Sequence, residues 1–237
     1  MAIKDMLVLL DNGHATPEQS PPSRGTGNPA VDAIGAGPAL AIDLARRLEA
    51  HVTGVALAVD PIVPGFVVAP LPVEVIEQAR TQAVDVARAA TERFRGVAER
   101  AGVTTETRIA EILMGGAPEG FVVNCRATDL VVIGQDDPDR PEPMREAMLE
   151  TALFEGTAPL LIVPYISRGS VALDRVMIGW DGSRTAARAV QAALPLLGLA
   201  KKIAVVMVEK AGSNPGQPGA ELATWLARHG LDVELTQ

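Results

Sequence analysis

The sequence predicts an α/β protein: a doubly wound open parallel sheet, five strands in the first unit in the order 3-2-1-4-5, with a second partial copy of the same unit. Three observations carry this. Short β-rich runs alternate with longer helical patterns, the signature of parallel strands joined by crossover helices. Runs such as Leu130-Val131-Val132-Ile133 are apolar throughout, which suits strands covered on both faces. Finally, the opening pattern of an apolar strand closed by Asp11-Asn12 returns near residue 176, closed there by Asp181-Gly182-Ser183.

The elements follow in order. Residues 6–10 form the first strand candidate, ended by Asp11-Asn12-Gly13. A helix over 40–48 leads to a strand over 52–59. From Ile76 onward, Ala79, Ala83, Ala87, Ala90, Phe94, Val97 and Ala101 recur in steps of three and four, one face of a long helix. Residues 104–109 alternate as a strand, 117–127 read as a helix, 130–133 as a strand ending at Gly134, 143–154 as a helix, and 160–163 as a strand closed by Pro164. The second copy offers a strand over 176–180, a helix over 185–197, a strand over 203–208, a helix over 221–228 and a strand over 231–235. The expected domains are therefore 1–165 and 173–237, and the second lacks a counterpart of the βαβ half that closes the first. On this expectation the second copy is incomplete and its strand 176–180 becomes a sheet edge, to be covered by residues 1–165 or by a second chain.

Two loops stand out. Residues 13–30 hold four Pro, three Gly, two Ser and one Asn, have no counterpart in the second copy, and read as an inserted mobile loop. Residues 60–72 carry four prolines among Ile62, Val63, Phe66, Val67 and Val68, which suits a rigid crossover strapped on the sheet or an apolar contact surface for a partner.

Composition narrows the function. Apolar residues make up 48% of the chain, enough for a sizeable core, while aromatics are only 3%. The formal charge of −8 and the lack of any basic run exclude a nucleic-acid footprint and an anionic membrane surface as partners. No apolar stretch approaches the ~20 residues of a bilayer span. The apolar run after Asp5 is too short for a signal peptide, which makes the cytoplasm the expected compartment. Cys125 is the single cysteine, so no intrachain disulfide or cysteine-based zinc site forms, and its apolar-periodic setting predicts a buried inert thiol. His14, His51 and His229 lie far apart without metal-ligand spacing, and the acidic group Asp136-Asp137-Asp139, interrupted by Pro138 and followed by Pro141, reads as a solvated run in an open loop more readily than as a hard-cation site. No metal site and no catalytic residue is assigned.

Residues 173–190, Leu-Asp-Arg-Val-Met-Ile-Gly-Trp-Asp-Gly-Ser-Arg-Thr-Ala-Ala-Arg-Ala-Val, resemble the first strand, turn and helix of universal stress proteins. Residues 129–134 resemble their fourth strand and 158–164 their closing strand, so the likeness spans nearly the whole chain apart from 13–30. It implies a tandem form, two units packed as an internal pseudo-dimer, or else a homodimer, with a protein partner unnamed. Nucleotide-binding members of that family carry Gly-x2-Gly-x9-Gly-Ser/Thr after the fourth strand, where glycines let backbone N–H groups close on phosphates. Counting from Gly134, the later positions fall on Asp137, Ala147 and Met148, so only the first matches. The expectation is that the first unit does not bind ATP, leaving Asp11 and Gly134 as the weakest of the cofactor candidates. In the second unit, Asp181, Gly182 and Ser183 stand where the family places adenosine, which implies ATP or another adenine nucleotide as a ligand there; a turn followed by a helix cap explains them equally well. The function expected is that of a non-enzymatic stress-response protein. Its alternative is an enzyme of a related doubly wound fold, of the nucleotide-alpha-hydrolase type, although nucleophile-elbow, Walker and Gly-x-Gly-x-x-Gly signatures are all missing.

Overall fold

The computed structural model describes residues 2–12, 26–59, 72–112, 119–139, 141–142, 144–207 and 218–236. It divides into two compact units, Ile3–Ser170 and the chain from Val171 onward. Each is taken by itself.

The first unit runs β1 (Asp5–Leu9), α1 (Pro29–Ile34), α2 (Ala36–Leu48), β2 (His51–Val59), α3 (Val73–Ala101), β3 (Thr105–Ile112), α4 (Glu119–Cys125), β4 (Leu130–Gly134), α5 (Arg145–Phe154) and β5 (Leu160–Val163). Its sheet is five-stranded, ordered β3-β2-β1-β4-β5, with every pairing parallel. The expected strand order is therefore the observed one. Residues Met6 to Leu9 and Val131 to Gly134 are buried throughout, as strands covered on both faces must be. Leu7, Leu9, Val131 and Ile133 pack with Phe121, Cys125, Met148 and Ala152 under α4 and α5, while α2 and α3 lie against β1, β2, β3 and β4. The periodic face read for α3 is the buried one at Ala87, Ala90, Phe94 and Val97. Cys125 is fully buried, and loss of hydration pushes its thiol up to about 11, so it is an inert core residue.

The segment read as an inserted loop needs correcting at its end. Residues 13–25 lie outside the described residues, as do 60–71 of the proline-rich loop. Within 26–30, however, α1 begins at Pro29, with the Asn28 side chain accepting from Ala30 N at 3.0 Å. An Asn cap followed by Pro at the first helical position is a strong local start signal.

The second unit comprises β6 (Arg175–Trp180), α6 (Arg184–Leu197), β7 (Lys202–Met207), α7 (Pro218–Arg228) and β8 (Val233–Thr236). Its sheet is ordered β6-β7-β8, again all parallel, over a core of Ile178, Val190, Leu197, Ile203, Val205, Leu222 and Leu226. Among the described residues β6 stands at the sheet edge, and Met177 on it is exposed. The ring of His229 meets Trp225 edge-on at 4.4 Å, and His51 opens β2 with Nδ1 3.4 Å from Asp5. No helix among the described residues is long and apolar enough to cross a membrane.

Candidate functional site

In an open parallel sheet the ligand crevice opens at the carboxyl ends of the strands where the winding reverses. Here that point lies between β1 and β4, and Asp11, Asn12, Gly134 and Asp136 all follow those strands. At this point the protein sets a buried charged cluster of its own. Arg145, the first residue of α5, is only 4% exposed and reaches back across it. Its Nη2 donates to Asp11 Oδ1 at 2.7 Å and lies 3.0 Å from Glu142 Oε2, its Nε lies 2.8 Å from Asp136 Oδ1, and its Nη1 donates to the Gly134 carbonyl at 3.3 Å. One planar guanidinium thus satisfies three carboxylates and a strand-end carbonyl, the fork geometry for which arginine is suited.

The backbone is shaped to admit this cluster. Gly35, at the entry to α2, has φ 85° and ψ 167°, a region open to glycine alone, and a Cβ there would fall 1.6 Å from Asp11 Oδ2. Gly37 brings α2 onto the end of β4: its Cβ would lie 2.9 Å from Gly134 N. Asn12 braces the far side, donating Nδ2 to the Leu57 carbonyl at 2.6 Å, its N–H to Glu142 Oε2 at 3.3 Å, and accepting on its own carbonyl from Arg93 at 2.8 Å.

Electrostatically the cluster is lopsided, with three carboxylates around one cation. Burial pushes the Asp11 carboxyl up to about 6; Arg145 works against that rise, and Glu142 and Asp136 add to it. Burial also disfavours the Arg145 charge, but Asp11, Glu142 and Asp136 together outweigh it and tighten its hold on the proton.

The expected solvated acidic run holds only in part: Asp139 is exposed, while Asp136 is drawn into the cluster. Asp136 is half-buried, ion-paired to Arg145 and accepts from Glu142 N at 3.2 Å, while Asp137 closes a turn by accepting from Asp139 N at 3.0 Å. Among the described residues no acidic, His or Cys group is arranged to hold a metal ion. The phosphate-motif positions Ala147 and Met148 lie inside α5, where Met148 is fully buried and its N–H is spent on the Met144 carbonyl at 2.9 Å. Arg145 and Glu142 escaped the sequence reading. The available signal was a cation at the first position of a helix, where the macrodipole disfavours it, three residues after Glu142.

In the second unit, Asp181, Gly182 and Ser183 form one exposed turn between β6 and α6. Asp181 Oδ1 accepts from Ser183 N at 2.8 Å, Ser183 Oγ caps α6 by accepting from Ala186 N at 3.1 Å, and Gly182 takes φ 73°. The Ser183 hydrogen bonds hold the Asp181 carboxyl below its ordinary value. These bonds account for each residue as a turn and cap.

A universal stress protein from Archaeoglobus fulgidus matches 98% of this chain and 75% of its own, at 14% identity and a TM-score of 0.59. The fold is that of the universal stress proteins. Two further solved structures align less extensively. Universal stress protein UspA from Lactobacillus plantarum covers 69% of this chain and 99% of its own, at 14% identity and TM-score 0.48. A member of the universal stress protein family from Burkholderia pseudomallei covers 68% and 96%, at 20% identity and TM-score 0.40. No family model matches the sequence, and no curated protein does. The chain's own strand order puts the Arg145 cluster at the β1–β4 switch point of the first unit.

Proposed function

We propose that this chain is a non-enzymatic, cytoplasmic stress-response protein of the universal stress protein kind, and that its first unit holds no nucleotide. The buried Arg145 guanidinium between Asp11, Asp136 and Glu142 carries the reading, because it stands at the β1–β4 switch point with three carboxylates around it. Three carboxylates line that place, and like charges oppose a triphosphate. The N–H of Met148 is already committed to helix α5. Calorimetric titration of residues 3–170 with ATP and magnesium should give no saturable heat; low-micromolar binding would overturn the proposal. Incubation of the whole chain with ATP should release neither phosphate nor AMP, against the nucleotide-alpha-hydrolase alternative.

A second reading concerns the second unit. Its turn is exposed, and nothing lies within 4 Å of a Cβ built on Gly182, so the backbone there is accessible to an adenine nucleotide. Heat from the whole chain that disappears in Asp181→Ala would support that site.

Self-association supplies the partner in this proposal. The two edges of the first sheet differ in kind: β3 carries Glu106, Arg108 and Glu111, charges that discourage edge pairing, whereas β5 reads Leu-Leu-Ile-Val. Ile162 on β5 is exposed, with Phe154, Tyr165 and Ile166 exposed nearby in sequence. Light scattering over a concentration series should report a dimer that Ile162→Lys converts to monomer. A wild-type monomer throughout would remove homodimerisation from the proposal. The net charge of −8 supports a partner that is neither nucleic acid nor an anionic membrane.

A further inference from the structure

Helix α1 is an extra element. In the second unit the chain passes from Ser183 straight into α6, whereas in the first unit α1 stands between β1 and α2 and has no counterpart among the described residues of the second. Its start is secured locally. Thr26 N and Thr26 Oγ1 both donate to Asp32 Oδ1 at 3.0 Å, and Asn28 Oδ1 accepts from Ala30 N. Val31 and Ile34 are its buried residues, and it packs on α2 and α3.

The capping side chain also makes a distant bond. Asn28 Nδ2 donates to the Arg168 carbonyl at 2.7 Å, 140 residues along the chain. An amide suits both tasks: a carboxylate would cap as well but has no hydrogen to donate, and a hydroxyl offers one atom in place of a fork. The next residue, Gly169, is buried at φ 70°, and a Cβ built on it would lie 2.5 Å from Val31 Cγ2 and 2.7 Å from Ala39 Cβ. The backbone there rests directly on α1 and α2, in a conformation and at a distance that glycine permits.

Arg168 and Gly169 belong to the connector that leaves β5 for the second unit. Its local bonds are short-range: Ser167 N donates to the Pro164 carbonyl at 2.9 Å, and Gly169 N to Ser167 Oγ at 3.3 Å. Tyr165 and Ile166 within it are exposed. The second unit takes hold at Leu173 and Asp174, whose carbonyls accept from Lys201 N at 3.3 Å and Lys202 N at 3.0 Å. The first unit accordingly ends at Ser170, beyond the end of its sheet at Val163.

We propose that α1 is a clamp for this connector: the Asn28 amide and the Val31–Ala39 seat for Gly169 hold it against the first unit, which leaves residues 170–172 between the two anchors. Release of the clamp would extend that span back to Pro164, and a longer span gives the second unit a longer reach. The inserted helix thereby acquires a purpose that its own fold does not need. A connector follows the first copy of the unit, and the helix that holds it is in that copy.

Trypsin tests the clamp where it closes, because the Arg168 carbonyl that accepts from Asn28 is the one the protease attacks. Cleavage of a transiently opened segment follows the population of the open form, and losing one ordinary hydrogen bond raises that population about fivefold. In the whole chain, Asn28→Ser keeps a good cap and loses the reach to Arg168, so cleavage after Arg168 should be about fivefold faster than in the wild type. Amide exchange over residues 32–35 should not change in that variant. Gly169→Ala should speed cleavage roughly tenfold or more, after correction by the peptide 163–174 carrying the same change. Unchanged cleavage in Asn28→Ser, or α1 losing protection in step with the connector, would overturn the clamp. A wild-type chain cut after Arg168 as fast as the free peptide would overturn it without any variant.

Discussion

Replacing Arg145 by methionine should lower the stability of the first unit by about 3 kcal/mol. Removing one partner of a buried ion pair costs ~3–5 kcal/mol because the remaining charge is left desolvated and unpaired. Asp11, Asp136 and Glu142 keep 28%, 34% and 22% of their side-chain surface, so water softens the loss and places it at the lower end of that range. Methionine preserves much of the volume, which separates the missing charge from a cavity. The loss should shrink on acidification, since protonated carboxyls need no counter-charge. Adding Asp11→Asn and Glu142→Gln to Arg145→Met should recover more than half of it, because the three carboxylates act on one cation and their effects do not add independently. Urea unfolding of residues 3–170 by circular dichroism is the measurement. A loss below about 1 kcal/mol would mean that the guanidinium is not holding the crevice together.

The fold was legible in the sequence because its signals are local and redundant. Continuous apolar runs marked the strands, and the three-and-four spacing through Ala87, Ala90, Phe94 and Val97 marked the buried face of α3. The parallel order then follows from crossover connections that admit few topologies. Helix α1 was missed because the Gly and Pro content of residues 13–30 outweighed Asn28-Pro29, although those two residues state a helix start by a more specific mechanism. The site was missed for a different reason. Pro138 and Pro141 say that the backbone is not helical, and they say nothing about what its side chains meet. Asp136 finds Arg145 only after α5 folds back over β4, and Asp11 joins them from 134 residues away. Ion pairing of this kind is a property of closure, and a single sequence carries no pattern for it. The same reasoning explains Asp181-Gly182-Ser183, where the bonds are local and the turn-and-cap reading could be made directly.

Gly35→Ala should strongly destabilise the first unit, with an expected cost of about 3 kcal/mol or more. Two independent terms contribute. The backbone at φ 85° and ψ 167° is available to glycine and costs another residue ~1–3 kcal/mol. The added methyl would also fall 1.6 Å from Asp11 Oδ2 and 2.7 Å from its Cγ, so the carboxylate must move. Asp11 has a short side chain and is bonded to Arg145 at 2.7 Å, and any shift large enough to clear the methyl breaks that bond. A double-mutant cycle with Asp11→Ala separates the terms. In the Asp11→Ala background the steric term vanishes and only the backbone strain remains, so Gly35→Ala should cost at least 1 kcal/mol less there than in the wild type. Strict additivity would show that Asp11 does not lie against the α2 entry, and the cluster geometry would have to be redrawn. Coupling of the expected sign also has a consequence for titration. With the carboxylate pushed out toward water in Gly35→Ala, desolvation no longer raises it, and its midpoint should fall from near 6 toward the ordinary 3.8.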